Sequence, residues 1–403
     1  MATLANVQIA EKNSSFDSGA AYLLTQKCDI DRIITISADR EVEVCKNSPY
    51  VVARIKGATN ATDAFNESHE VVQQALDLLS AQGEAHLTTR NTQDESLIWW
   101  RGPSGQVLRF ISVSNMSVTM DLVKLTVTDK DGNVVPPAPQ PETIYHESLR
   151  YFRLSQVTDD LFDAFRNMYL AFESILEYIS PKKGRGEKTW LKNALAIANS
   201  KVPLTRAFKP TTSNVVDEIF SQIYVAIRCA IFHSKTGSHL VPQNLSDRKK
   251  VAEGLRMLAG LVMLLAEEYL NVRFRTGGLT YDAFNLMTKS VFQTPTIFVA
   301  ESNTPFDKAI TLDSPAYKGA VAMKTEPALK LSEPGLYFII GSISTADLCL
   351  LTKIGRFGVT KNDKLLTDST IEAELKYSGI DLLEAQLGLQ LRNVRGPKRL
   401  YGA

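Results

Sequence analysis

Apolar residues change their spacing twice along this chain, and that alternation limits the folds open to it more than any other feature. Residues 18–57 and 97–128 carry short runs rich in β-branched and aromatic residues, RIITIS, YVVARI, SLIWW and QVLRFISV, broken by Gly, Asn and Pro. Such runs read as strands. Between them, residues 63–82 place Val71, Val72, Ala75, Leu76, Leu78 and Leu79 at helical spacing, which predicts one amphipathic helix. The stretch VVPPAPQPE then holds Pro136, Pro137, Pro139 and Pro141, which cannot sustain a ladder and favour a stiff, extended connection. From 149 to 274 the period becomes helical. Beyond Gly277 and Gly278 it reverts to strands, with TIFVAE, GLYFIIG and LCLLTKI, and a last helix is expected around 371–391. The expected fold is α+β and multidomain: an N-terminal α/β part, β-rich with one helix (1–135); a Pro-rich linker (136–148); a central four-helix bundle (149–275); and a C-terminal β-rich module with a basic tail (276–403).

Within the helical third, a first helix is expected over 159–179, with Thr158 as N-cap and Leu161, Phe165, Met168, Phe172, Ile175 and Ile179 as its core stripe. A second covers 187–200, with Trp190, Leu191, Ala194, Leu195 and Ala198 inward and Pro203 beyond its end. Asn214, three residues before Asp217, starts a third that runs to about His233. The fourth spans about 247–272 and is apolar on nearly all sides between Leu255 and Leu265, as burial against the others requires.

Charge narrows the choice of partners. Lys and Arg total 45 against 44 acids, so no chain-wide basic surface grips nucleic acid, and any anionic partner must be met locally. Apolar content of 44% is that of a globular protein, and the longest apolar stretch, Met257–Ala266, is about half of what a bilayer crossing needs, so no membrane partner is expected. Cys28, Cys45, Cys229 and Cys349 are scattered without a CxxC pair, and no secretory leader opens the chain; a cytoplasmic location is expected.

Chemistry concentrates at Ile227-Arg228-Cys229-Ala230-Ile231-Phe232-His233. At about 100° per residue, with Arg228 as zero, Phe232 lies at ~40°, Cys229 at ~100° and His233 at ~140° on a regular helix, one broad flank. A guanidinium and an imidazole left unpaired in an apolar setting each cost several kcal/mol, so something polar should face them. Either Arg228 pairs with an acid on the first helix while His233 merely ends the third, or the pair serves a site.

An R-x4-H near the end of the third helix of a four-helix bundle resembles the motif of the HEPN superfamily, whose active members are metal-independent endoribonucleases. The likeness spans about 150–274, and the segments YFRLSQVTDDLFDAFRNMYLAFESIL and IRCAIFHSKTG are similar to those of a bacterial HEPN subgroup of the methylamine-utilisation MauJ type. The resemblance implies RNA cleavage by attack of its own 2′-hydroxyl, with Arg228 and His233 catalytic and with neither cofactor nor metal. It also implies a homodimer through the bundle, since one histidine per chain leaves the second proton transfer to a twofold-related copy, and a toxin or antiphage-defence role. A departure is Cys229, where many active members carry Asn or Asp; a catalytically silent HEPN module binding nucleotide, RNA or a partner protein is the alternative reading, and a purely structural subunit a third. The β-rich modules are expected to take a regulatory ligand or protein.

An imidazole titrating near ~6.5 serves as acid or base at neutral pH, and a guanidinium fork matches phosphate oxygens. Supporting candidates are Cys229; Glu173, placed to face Arg228 unless it is a solvated edge; and Ser234 and Lys235, a hydroxyl and a cation for phosphate unless they only close the helix. Lys182, Lys183, Arg185 and Lys188 form a basic loop, and Arg392, Arg395, Lys398 and Arg399 a basic tail; each is an RNA contact or plain solvated surface. Other motifs fail: GRGEKT lacks the Gly-Lys step of a phosphate loop, GPSG lacks the elbow spacing, and the five histidines form no metal-ligand cluster. Adjacent Trp99 and Trp100 on one strand point to opposite faces, so at most one is expected in a core.

Overall fold

A computed structural model describes residues 2–5, 7–10, 15–90, 95–116, 130–131, 134, 141–158, 160–184, 186–233, 239–273, 286, 288–290, 295–302, 317, 319–326, 330–333, 336–348, 351–362 and 364–391. They belong to two compact units, one drawn from 1–116 and 280–391, the other from 117–279.

In the first unit the strands are β1 (Ala2–Leu4), β2 (Val7–Ala10), β3 (Ser18–Leu23), β4 (Arg32–Ser37), β5 (Arg40–Val44), β6 (Tyr50–Ile55), β7 (Glu95–Gly102), β8 (Gly105–Met116), β9 (Thr296–Ala300), β10 (Val321–Thr325), β11 (Lys330–Glu333), β12 (Leu336–Ser344), β13 (Ile354–Lys361), β14 (Lys364–Lys376) and β15 (Leu382–Leu391). The N-terminal and C-terminal strand-rich stretches, expected as separate modules, pair into one mixed sheet in the order β2-β1-β14-β13-β9-β10-β12-β15-β8-β7-β3-β6-β5-β4, with β11 on β12. The join is β8 against β15, the parallel pair, where Arg109 stands opposite Glu384 and binds it at 2.7 Å. Nothing local in sequence announces a partner 275 residues away. The helix expected around 371–391 is instead β14 and β15: Leu383, Ala385, Leu387 and Leu389 are buried at period two, a strand's alternation.

Helix α1 (Ala61–Ala81) is capped by Asn60, whose side chain accepts from Asp63 N, and its stripe Ala64, Val71, Val72, Ala75 and Leu79 packs on β3, β5, β6 and β7. Trp100 lies in that core. Trp99, on the opposite face, is nonetheless fully buried, so both tryptophans are covered rather than one. The close approach rests on Gly19 of β3: a Cβ there would sit 2.3 Å from both the Trp99 ring and the Ala53 carbonyl oxygen. Backbone cannot yield as a side-chain tip can. Gly19→Ala is expected to lower stability by about 1–3 kcal/mol in urea unfolding, the range for overpacking, and an unchanged midpoint would contradict the packing described.

The second unit is helical: α2 (Ser148–Val157), α3 (Leu161–Ile179), α4 (Glu187–Lys201), α5 (Val215–Ile219), a π-helical segment (Phe220–Arg228), α6 (Cys229–Phe232) and α7 (Leu245–Leu270). α2 has no counterpart in the expected helices. One core joins α3, α4, the α5–α6 run and α7, with Phe165, Phe172, Trp190, Ile223, Leu258 and Leu265 among its members. Asp160, not Thr158, caps α3, accepting from Asp163 N at 2.7 Å; Trp190 Nε1 donates to Ser180 O at 2.6 Å and seats the start of α4 against the end of α3. Among the described residues no helix is long and apolar enough to cross a membrane.

Candidate active site

Asn214 starts the α5–α6 run as expected from its spacing to Asp217, whose backbone N–H it accepts at 3.2 Å. Glu218, one turn on, is buried and gathers the preceding segment: its carboxylate accepts from the backbone N–H and hydroxyl of both Thr211 and Thr212 and from Gln222 Nε2 at 2.8–3.0 Å. Backbone donation from Thr211, against the cost of burial, with Thr212 and both hydroxyls adding to it, lowers its pKa from the ordinary 4.5 to about 2. A depressed acid stabilises the fold above the unfolded value and loses that contribution as pH falls through the folded one. Stability should therefore decline between about pH 4.5 and pH 2 through this group, and Glu218→Gln should flatten that part of a pH-dependent urea titration.

After Glu218 the backbone bonds shift to i→i+5, ending with Cys229 N donating to Tyr224 O, and one α-helical turn succeeds it. The inserted π register rotates that turn relative to a regular helix. Arg228 points among the rings of Tyr169, Tyr224 and Phe232, with Cζ 5.6, 5.3 and 5.0 Å from their centroids. Its Nη2 lies 2.9 Å from Glu187 Oε1, at the first turn of α4, where an anion also suits the helix dipole. The acid expected on the first helix is thus supplied by the second. Glu173, on α3, stands in the same half-buried cluster without forming the ion pair: burial and then repulsion from Glu187 push its carboxyl up, while Arg228 and Lys182 pull it back. Burial pushes Tyr224 up to about 12, with Glu187 and Cys229 adding to it; Tyr169 rises further for the same first cause. For Arg228 the cost of burial is outweighed by Glu187, the two tyrosines and Cys229, and its pKa rises.

His233 does not continue the helix. Its N–H donates to Cys229 O at 3.1 Å, its backbone turns extended (φ −127°, ψ 96°), and it is exposed. It opens onto a cleft of about 560 Å³ with Cys229, His239 and Lys250, walled by Val225 and Leu240 among others. Arg228 and His233, expected on one flank, therefore face different surroundings, the guanidinium a ring cage and the imidazole a cleft, with Cys229 between them. His239 and Lys250 escaped the sequence reading because a loop and the next helix bring them in; no residue spacing signals that.

Ser234, Lys235, Arg185 and the tail Arg392, Arg395, Lys398 and Arg399 lie outside the described residues. Lys182, Lys183 and Lys188 are exposed, Lys182 Nζ lying 5.9 Å over the Trp190 ring. No group of three or more His, Cys, Asp or Glu side chains among the described residues is arranged to hold a metal.

Residues 148–267 match the family model described as Methylamine utilization protein MauJ. This segment is a MauJ-like domain. It begins at the first residue of α2 and ends within α7, so Arg228, His233, Glu187 and Glu173 all fall inside it. No curated protein and no solved structure matches the chain.

Proposed function

We propose that the MauJ-like domain is a four-helix HEPN module and that the protein is a metal-independent endoribonuclease of the cytosol, acting in toxin or antiphage defence as a homodimer. The observation that carries this reading is an exposed imidazole, His233, at the mouth of a cleft whose described lining holds Lys250 and no carboxylate, at the end of the helical run that bears Arg228. On this reading His233 exchanges protons with the 2′-hydroxyl or the leaving 5′-oxygen, and the Arg228 guanidinium, oriented by Glu187, offers charge to the phosphorane. Exposed Val225 and Phe232 on the same run support docking of a twofold copy there, which brings one chain's Arg228 toward the other's His233. The strand-rich unit is then the place for a regulatory ligand or protein.

The test is cleavage of RNA in the presence of EDTA. Products ending in 2′,3′-cyclic phosphate, lost in His233→Ala, support the assignment; activity that survives both Arg228→Ala and His233→Ala refutes it. A second reading has its own observation: Arg228 is already held by Glu187 and three rings, and the adjacent Cys229 is a weak hydrogen-bonding group. A silent module that binds nucleotide, RNA or a partner would keep Arg228 for structure alone. Cys229→Asn separates the two, since a gain of cleavage marks a weakened enzyme, whereas unchanged tight RNA binding without cleavage marks a binder.

A further inference from the structure

The cleft beside the α5–α6 run carries more acid–base chemistry than the Arg228–His233 pair supplies. Two imidazoles, His233 and His239, and one ammonium, Lys250, line the same space, and no Asp or Glu is among its described lining residues. All three side chains belong to exposed residues. The chain just after His239 is held by two bonds: Leu240 N donates to Ala230 O at 3.2 Å, and Val241 N donates to Asp247 Oδ2 at 3.0 Å. His239 is thus tied to the last turn of the α5–α6 run and to the first turn of α7, which carries Lys250 on its next turn. Asp247, in the first turn of α7, spends an oxygen on that backbone bond, and Glu253, three residues beyond Lys250, is not among the cleft's described lining residues. The other titratable group on the wall is the Cys229 thiol. A volume of about 560 Å³ is within the range that holds a small ligand of nucleotide size.

We propose that His233, His239 and Lys250 form a complete acid–base set for phosphodiester cleavage within a single protomer, a deepening that rests on the ribonuclease reading of this site. One neutral imidazole takes the proton of the 2′-hydroxyl as the 2′-oxygen bonds to phosphorus. The other, as imidazolium, gives its proton to the 5′-oxygen as the phosphorus–oxygen bond breaks. The products are a 2′,3′-cyclic phosphate and a 5′-hydroxyl, and the exchanged protons return through solvent. Lys250 neutralises the phosphate in the ground state and beyond. The substrate class is RNA, because only a 2′-hydroxyl makes the internal nucleophile.

The experiment compares full-length wild type, His233→Ala, His239→Gln and Lys250→Gln on an oligoribonucleotide in EDTA from pH 5 to 9, with a 2′-deoxy oligonucleotide followed by NMR at the imidazole protons. Expected are a bell-shaped rate profile in wild type, a fall of about 100-fold or more with loss of one limb in His239→Gln, and a rise in KM exceeding the fall in kcat in Lys250→Gln. Both imidazoles should shift together as the deoxy oligonucleotide binds. Cleavage that needs His233 but keeps its full rate and both limbs in His239→Gln overturns this inference and leaves the ribonuclease reading standing, as does a shift confined to His233. Wild type that cleaves no RNA overturns both.

Discussion

Asp368→Ala is expected to lower the stability of the strand-rich unit by about 3–5 kcal/mol, the cost of breaking a buried ion pair from one side. Arg356 of β13 is fully buried, and Asp368 of β14 lies 3.4 Å from its Nε. The Tyr317 hydroxyl donates to the same carboxylate oxygen at 2.5 Å, and the tyrosine ring lies over Gly358, the residue paired with Asp368, where a Cβ would meet that hydroxyl at 2.3 Å. Burial pushes the Asp368 carboxyl up, and Tyr317 and Arg356 pull it only part of the way back, so its pKa stays raised. Removing the carboxylate withdraws this counter-charge from a guanidinium that solvent cannot reach. Removing both, in Arg356→Met with Asp368→Ala, should cost less than Asp368→Ala alone, because no charge is then left inside. Urea unfolding of the single and double variants measures the coupling; a single variant within about 1 kcal/mol of wild type would show that this pair contributes little.

Arg228→Ala and His233→Ala should part company. The arginine is 17% exposed at its side chain, sits against three rings and balances Glu187, which is itself 30% exposed. Its loss takes the ion-pair partner from Glu187 and leaves Lys182 as the cation acting on Glu173, at an expected cost of about 2–4 kcal/mol. Glu187→Gln in that background should recover part of the loss by removing one of the two acids. His233 is an exposed helix-ending residue, and its replacement should leave the melting temperature within about 1–2 °C while cutting cleavage by about 10²–10⁴-fold, as for loss of a general acid or base. Calorimetry and the cleavage assay on the same preparations check both halves. Equal destabilisation by the two substitutions would mean that the imidazole is also structural.

What could be read in the sequence was local. The stripe Leu161, Phe165, Met168, Phe172 and Ile175 is buried along α3, and Asn214 caps α5, because helical spacing and a cap three residues from its partner are short-range signals. The end of the α5–α6 run was less legible, since the π segment carries no composition of its own and shifts Arg228 out of the phase that a regular helix assigns. Glu187 was hidden for another reason: an acid in the first turn of α4 already has a local explanation in the helix dipole, and only tertiary packing reveals its second use. Over 371–391, Ile371, Leu375, Leu382 and Leu383 fit a helical count as easily as a strand one, and pairing with β12, β13 and β8 decided between them. Trp99 shows the same limit, because a glycine on the neighbouring strand, not the tryptophan's own position, lets its ring be covered.

The parallel union of β8 with β15 also bears on how the chain is made. On a ribosome adding ~5–20 residues per second, Arg109 emerges roughly 15–55 s before Glu384, 275 residues later. Throughout that interval the nascent chain holds an open strand edge of the kind that recruits foreign strands, while the helical segment between is being synthesised and can condense on its own local contacts. Slowed translation or a scarcity of chaperones should therefore harm the yield of this protein through β8, long before any defect in its helices is felt.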